Sequence, residues 1–126
     1  MHVDPTQKQV ETFAAAASDS PEPVFMLNLL RFVEDAGIEA YGRYAAAVGG
    51  HLERVGGEVV WAGACDAALI GPDDPEWHAV AVVRYPSRSA FLEMVSDVEY
   101  LKIASDRSAG LADSRLIPCE ARSPIP

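Results

Sequence analysis

"FMLNLLRF", residues 25–32, decides the fold. It is apolar throughout except for one amide, Asn28, and one guanidinium, Arg31, and it reads as a strand that is buried on both faces. Side chains alternate across a strand, so Val24, Met26 and Leu30 lie on one side and Phe25, Leu27 and Leu29 on the other. Both sides call for burial, and any architecture built on this strand has to provide two covers.

Ahead of the strand, Ser18-Asp19-Ser20-Pro21-Glu22-Pro23 is a breaker segment. Before that, Asp4-Pro5-Thr6-Gln7 carries an N-cap acid, a first-turn proline and a third-position glutamine, which predicts a helix with Val10, Phe13, Ala14 and Ala17 on one face. After the strand, Ile38, Tyr41, Ala45, Val48, Leu52 and Val55 recur at spacings of three and four, the stripe of an amphipathic helix that Gly56-Gly57 stops. Glu58 to Leu69 predicts a second strand, "GPDDPE" at 71–76 a loop, and Trp77 to Tyr85 a third strand closed by Pro86. These two strands make a hairpin. Ser87 caps a helix through Met94, and Ser96-Asp97-Val98-Glu99 has capping-box form, so a second helical segment begins there. Ala112 to Pro118 predicts the last strand, and the tail after residue 119 is expected to be loose.

The order strand, helix, strand, strand, helix, strand predicts an α+β, ferredoxin-like βαββαβ fold with a four-stranded antiparallel sheet and an extra N-terminal helix. The expected divisions are a helical extension at 1–23, the α/β domain at 24–119 and a tail at 120–126. Both helices of that fold lie on one face of the sheet, leaving the other apolar face bare. A bare apolar face of several hundred square ångströms is rare on a monomer, so a second copy is expected to cover it, sheet against sheet.

Composition narrows the partners. The chain has 126 residues, 49% of them hydrophobic, enough for one core. Ten basic against nineteen acidic residues give a net charge of −9, which disfavours nucleic acid and anionic membrane surfaces. No apolar run approaches the roughly 18 residues of a membrane span, and the start lacks a signal-peptide pattern, so a cytoplasmic protein is expected. Cys65 and Cys119 are too few for a disulfide framework or a zinc site, and each reads as a small buried hydrophobe. On the predicted topology they sit near opposite sheet edges, too far apart to bridge.

"MLNLLRF" at 26–32, "AYGRY" at 40–44, "GGEVVWAG" at 56–63 and above all "VRYPSRSAFLEMVSDVEYLKIASDR" at 83–107 resemble the DUF1330 family. The resemblance spans roughly Val24 to Ile117. It implies a place among dimeric α/β-barrel proteins, in which two ferredoxin-like sheets close into one barrel, and it implies no established activity. The family pattern has a histidine before the arginine at Arg107, where this chain has Asp106, so no acid–base role is carried to that position.

Candidate site residues follow from side chains with something to offer a chamber between sheets. Asn28 brings a donor and an acceptor into an apolar strand, and reads either as a ligand-orienting amide or as a satisfied structural one. His78 and Arg84 share a parity with Val80 and Val82. Arg84 suits a carboxylate or enolate at the barrel mouth, and His78 is a weak candidate for a base. Trp61 and Tyr44 offer aromatic walls with polar tips. Arg31 has the opposite parity to Asn28 and points to a surface or helix-side ion pair. There is no P-loop, GxGxxG, GxSxG or HExxH, and the three histidines lack ligand spacing, so neither cofactor nor metal is expected. Two functions remain open. One is a homodimeric barrel that binds a small apolar or aromatic molecule. The other is a cofactor-independent enzyme, a mono-oxygenase, isomerase or decarboxylase for an activated aromatic or keto compound, and it requires Asn28, Arg84 and a titratable group to converge.

Overall fold

Strand β1, Val24–Phe32, lies inside an antiparallel sheet, paired with β3, Ala79–Tyr85, on one side and β4, Leu111–Cys119, on the other. A computed structural model describes residues 1–17 and 22–125 of the chain. β2, Glu58–Ala64, pairs with β3 and completes the order β2-β3-β1-β4. Helix α1, Gln7–Ala17, precedes the sheet, α2, Ala36–Val55, links β1 to β2, and α3, Arg88–Ser96, with α4, Val98–Gly110, links β3 to β4. This is the ferredoxin-like order with one helix added at the start. Among the described residues no helix is long and apolar enough to cross a membrane.

The alternation in β1 sorts as its sequence predicts. Val24 and Met26 form one core with Tyr85 of β3, Tyr44 and Leu52 of α2, Met94 of α3 and Tyr100 of α4, and Leu30 is buried beside them. All these residues lie on the helix side of the sheet. Two glycines set the spacing there. A Cβ on Gly110 would stand 2.7 Å from the carbonyl oxygen of Gly37 and 2.8 Å from the amide nitrogen of Tyr41. Both are backbone atoms, so the end of α4 passes the start of α2 at a distance only glycine permits. The Val33 N–H seals the approach by donating to the Gly110 carbonyl at 3.0 Å.

Several boundaries differ from the sequence reading, each for a local reason. α1 starts at Gln7 because Thr6, rather than Asp4, caps it: Gln9 N–H donates to Thr6 Oγ1 and Thr6 N–H to Gln9 Oε1, a reciprocal pair. The break between α3 and α4 is present, but its cap is Asp97, whose carboxylate accepts from the N–H groups of Glu99 and Tyr100, while Ser96 Oγ turns back to the Leu92 carbonyl. In α2 the buried stripe is Gly37, Ala40, Tyr44 and Leu52, with Tyr41, Val48 and Val55 packed beside it, and Ile38 and Ala45 face solvent. β2 ends at Ala64 instead of Leu69, and Leu69 and Ile70 are 99% and 94% exposed on the following loop. The expected breaker at Ser18 to Pro23 falls, for Ser18 to Pro21, outside the described residues. Cys119 is exposed at the end of an edge strand and Cys65 is half-buried, so neither is the core hydrophobe expected; both are free, and β2 and β4 are opposite edges.

Gly110→Ala is expected to lower stability by about 1–3 kcal/mol through overpacking against backbone. Gly49→Ala in α2, where a Cβ meets nothing within 4 Å, is expected to raise it by about 0.5–1 kcal/mol. Urea midpoints measure both, and equal effects at the two positions would contradict the close approach.

Candidate functional site

The face of the sheet turned away from the helices is ordered by strand register into rows. The first row is Glu58, Arg84, Phe25 and Cys119; the second is Trp61, Val82, Leu27 and Ile117; the third is Gly63, Val80, Leu29 and Arg115. Arg31 and Asp113 begin a fourth. Apolar side chains fill the middle and charged ones stand at the two ends. The helices pack on the opposite face, where the core residues lie.

One irregularity decides which way Trp61 points. The register of β2 against β3 shifts between Val59 and Trp61, leaving Val60 as a bulge. Val59 therefore pairs with Val83 on the helix side, while Trp61 pairs with Val82 on the open side. The two do not share a face, contrary to simple alternation. The indole leans on Gly63: a Cβ there would lie 2.7 Å from Trp61 Cη2 and 3.0 Å from Cζ2. Trp61 is nonetheless 59% exposed, so much of the indole remains open to solvent.

The other candidates scatter. Asn28 belongs with Val24, Met26 and Leu30 on the helix side and pairs with Ala81 across the sheet. Its Nδ2 donates to the carbonyls of Met26 at 3.1 Å and Ala81 at 3.4 Å, so its amide serves the sheet and does not reach the open face. Tyr44 lies in the helix-side core, its hydroxyl 2.9 Å from that of Tyr100. Burial, then the neighbouring Tyr100, pushes the Tyr44 phenol far above its ordinary value, so it stays a neutral hydrogen-bonding group. His78 stands just before β3 and departs from the parity of Arg84: its ring stacks on Phe32, and its Nδ1 accepts the Phe32 N–H at 3.0 Å. Arg84 alone of these lies on the open face with Trp61. It is half-buried and, among the described residues, its side chain makes no hydrogen bond or ion pair.

Matches to known proteins agree with this architecture. The sequence model of a domain of unknown function, DUF1330, matches residues 28–118. A protein of unknown function from Rhodopseudomonas palustris, RPA0582, is 38% identical, with a TM-score of 0.88 over 98% of each chain. The hydroxynitrile lyase from Passiflora edulis is 15% identical, with a TM-score of 0.62 over 85% of this chain and 100% of its own. A dimeric protein of unknown function and ferredoxin-like fold from Bacteroides fragilis is 9% identical, with a TM-score of 0.54 over 78% of this chain and 95% of its own. At such low identity the last two share the fold alone. No curated protein matches the chain.

The far end of the open face is tied down by contacts that the sequence reading did not find. Arg31 Nη2 donates to the Pro75 carbonyl at 3.1 Å, so it holds the β2–β3 loop and not a carboxylate. Arg115 pairs with Asp113 at 2.8 Å and lies over the Trp77 ring at 5.2 Å. Asp113 also accepts the His2 N–H at 2.9 Å, and the Ser114 hydroxyl donates to the His2 carbonyl at 2.7 Å. The His2 amide is the chief reason that the Asp113 carboxyl titrates at about 2, with Arg115 and the Ser114 N–H adding to it. A depressed carboxyl stabilises its contacts above its unfolded value and loses them as pH falls through the folded one. The Asp113 carboxyl carbon, followed by NMR, is expected to titrate near 2 with the His2 amide moving in step. A midpoint at the ordinary value of 3.8 would contradict the strap.

Proposed function

The chain belongs to the DUF1330 family, and on that footing we propose that two copies pair open face to open face and hold a small apolar or aromatic molecule between their sheets. The observation that carries this reading is the second row, Trp61, Val82, Leu27 and Ile117: four apolar side chains side by side on the face opposite the helices. Phe25, Leu29 and Val80 extend the patch in the adjoining rows. A patch of this kind gains about 25 cal/mol for each square ångström removed from water, and a twin sheet of the same fold matches it in size and polarity. The description of the Bacteroides fragilis protein as dimeric supports the pairing at the level of fold. Two sheets packed face to face stand about 10 Å apart. The proposal places the protein in the cytoplasm, where thiols such as Cys65 and Cys119 stay reduced.

The enzyme reading required three groups to meet. Asn28 lies on the helix side, Arg84 at one end of the open face, and His78 six residues before Arg84, about 20 Å along an extended strand. Asn28, His78 and Arg84 do not converge, and the carboxylate across the register from Arg84, that of Glu58, forms no ion pair with it, so holding a ligand is the function we favour. The fold shared with a hydroxynitrile lyase does not change that, because a fold carries no chemistry of its own.

Light scattering on a sizing column is expected to give about twice the chain mass. The parent protein is expected to bind 1-naphthol in a calorimeter, and Val82→Asp, which sets a charge in the middle of the apolar row, is expected to give a monomer that no longer does. A parent protein that runs as a monomer at micromolar concentration would contradict the pairing.

A further inference from the structure

Resting on the barrel reading above, we infer that the chamber takes a small aromatic carboxylate, with its charge held by Arg84 and its ring over Val82 and Leu27. Three arginines lie on the open face, and two are engaged. Arg31 donates to the Pro75 carbonyl, and Arg115 pairs with Asp113 and covers Trp77. Arg84 has no hydrogen-bonding or ionic partner among the described residues. Glu58 stands directly across from it in the register, yet the two form no ion pair. A guanidinium that loses its water when a second sheet covers it needs an anion, and a planar carboxylate matches its fork with two parallel hydrogen bonds.

The surroundings specify the rest of the ligand. Along β3 the next residue on the open face is Val82, one two-residue repeat or about 7 Å from Arg84. That is the length of one aromatic ring with its carboxyl group. Val82 is flanked by Leu27 and by Trp61, and the Trp61 indole is drawn toward Gly63, away from Arg84. A phosphate ester, with more than one negative charge, is a poorer fit: the chain's two lysines, Lys8 and Lys102, sit on α1 and α4, and among the described residues no helix begins on the open face.

The test uses the full chain with two probe pairs, benzoate with benzamide and phenylacetate with phenylacetamide, titrated by calorimetry beside sizing of each variant. The parent protein is expected to bind each acid more tightly than its amide. Arg84→Met is expected to weaken the acids at least about tenfold and leave the amides unchanged, as loss of a charged hydrogen-bonding partner does. Gly63→Ala, whose new Cβ would push the indole back over Val82, is expected to weaken acids and amides alike. A dimer that binds acids and amides equally, or binds neither, overturns the carboxylate site and leaves the barrel standing. A monomer that still prefers acids through Arg84 overturns the barrel and keeps the site. Loss of acid and amide binding together in an Arg84→Met protein of unchanged oligomeric state also overturns the assignment.

Discussion

A central strand that is apolar on both faces must be covered twice, and this chain supplies one cover. Val24, Met26 and Leu30 go under the helices with Tyr44, Tyr85, Met94 and Tyr100. Phe25, Leu27 and Leu29 face the other way, beside Val80 and Val82, where no helix of the described residues packs. Most of the remaining structure serves this asymmetry. Gly37 and Gly110 bring α2 and α4 together tightly enough for two helices to roof the sheet. The caps at Ser87 and Asp97 turn the third helical segment so that Met94 and Tyr100 both reach the core.

The open face is graded and not uniformly greasy. Arg84 and Glu58 mark one end, Arg31, Asp113 and Arg115 the other, and apolar rows lie between. At the far end each charge has its partner, including a backbone strap from residues 2 and 3 that is held by Asp113, Ser114 and Arg107. At the near end the Arg84 side chain has none among the described residues. That difference gives the two ends different roles: one closes the structure, and the other is left to meet something else.

Much of this was legible in the sequence, because a period of two is hard to mistake where a strand is apolar on both parities. The element order, the hairpin and the break after Met94 follow from turn and cap residues in the same way. Parity alone did not say which side of β1 the helices would take. Asn28 could therefore be read into the chamber, although its amide is spent on the Met26 and Ala81 carbonyls. The bulge at Val60 leaves no trace in a run such as "VVW", yet it alone separates Val59 from Trp61. His78 looked like a strand residue because hydrophobicity begins at Trp77, but the ladder starts at Ala79 and the imidazole turns to Phe32. Cap positions moved by one or two residues where two good caps compete, Asp4 with Thr6 and Ser96 with Asp97. A local signal of that kind ranks candidates, and only the packed chain selects one.

The central claim concerns solvent at the open face, and hydroxyl-radical footprinting reads it residue by residue. With the protein at micromolar concentration, Phe25, Leu27, Trp61 and Ile117 are expected to be protected while the exposed Leu69 and Ile70 react freely, and dilution into the nanomolar range is expected to expose the four. Reactivity of those four equal to that of Leu69 at every concentration would contradict a covered face, and with it the chamber.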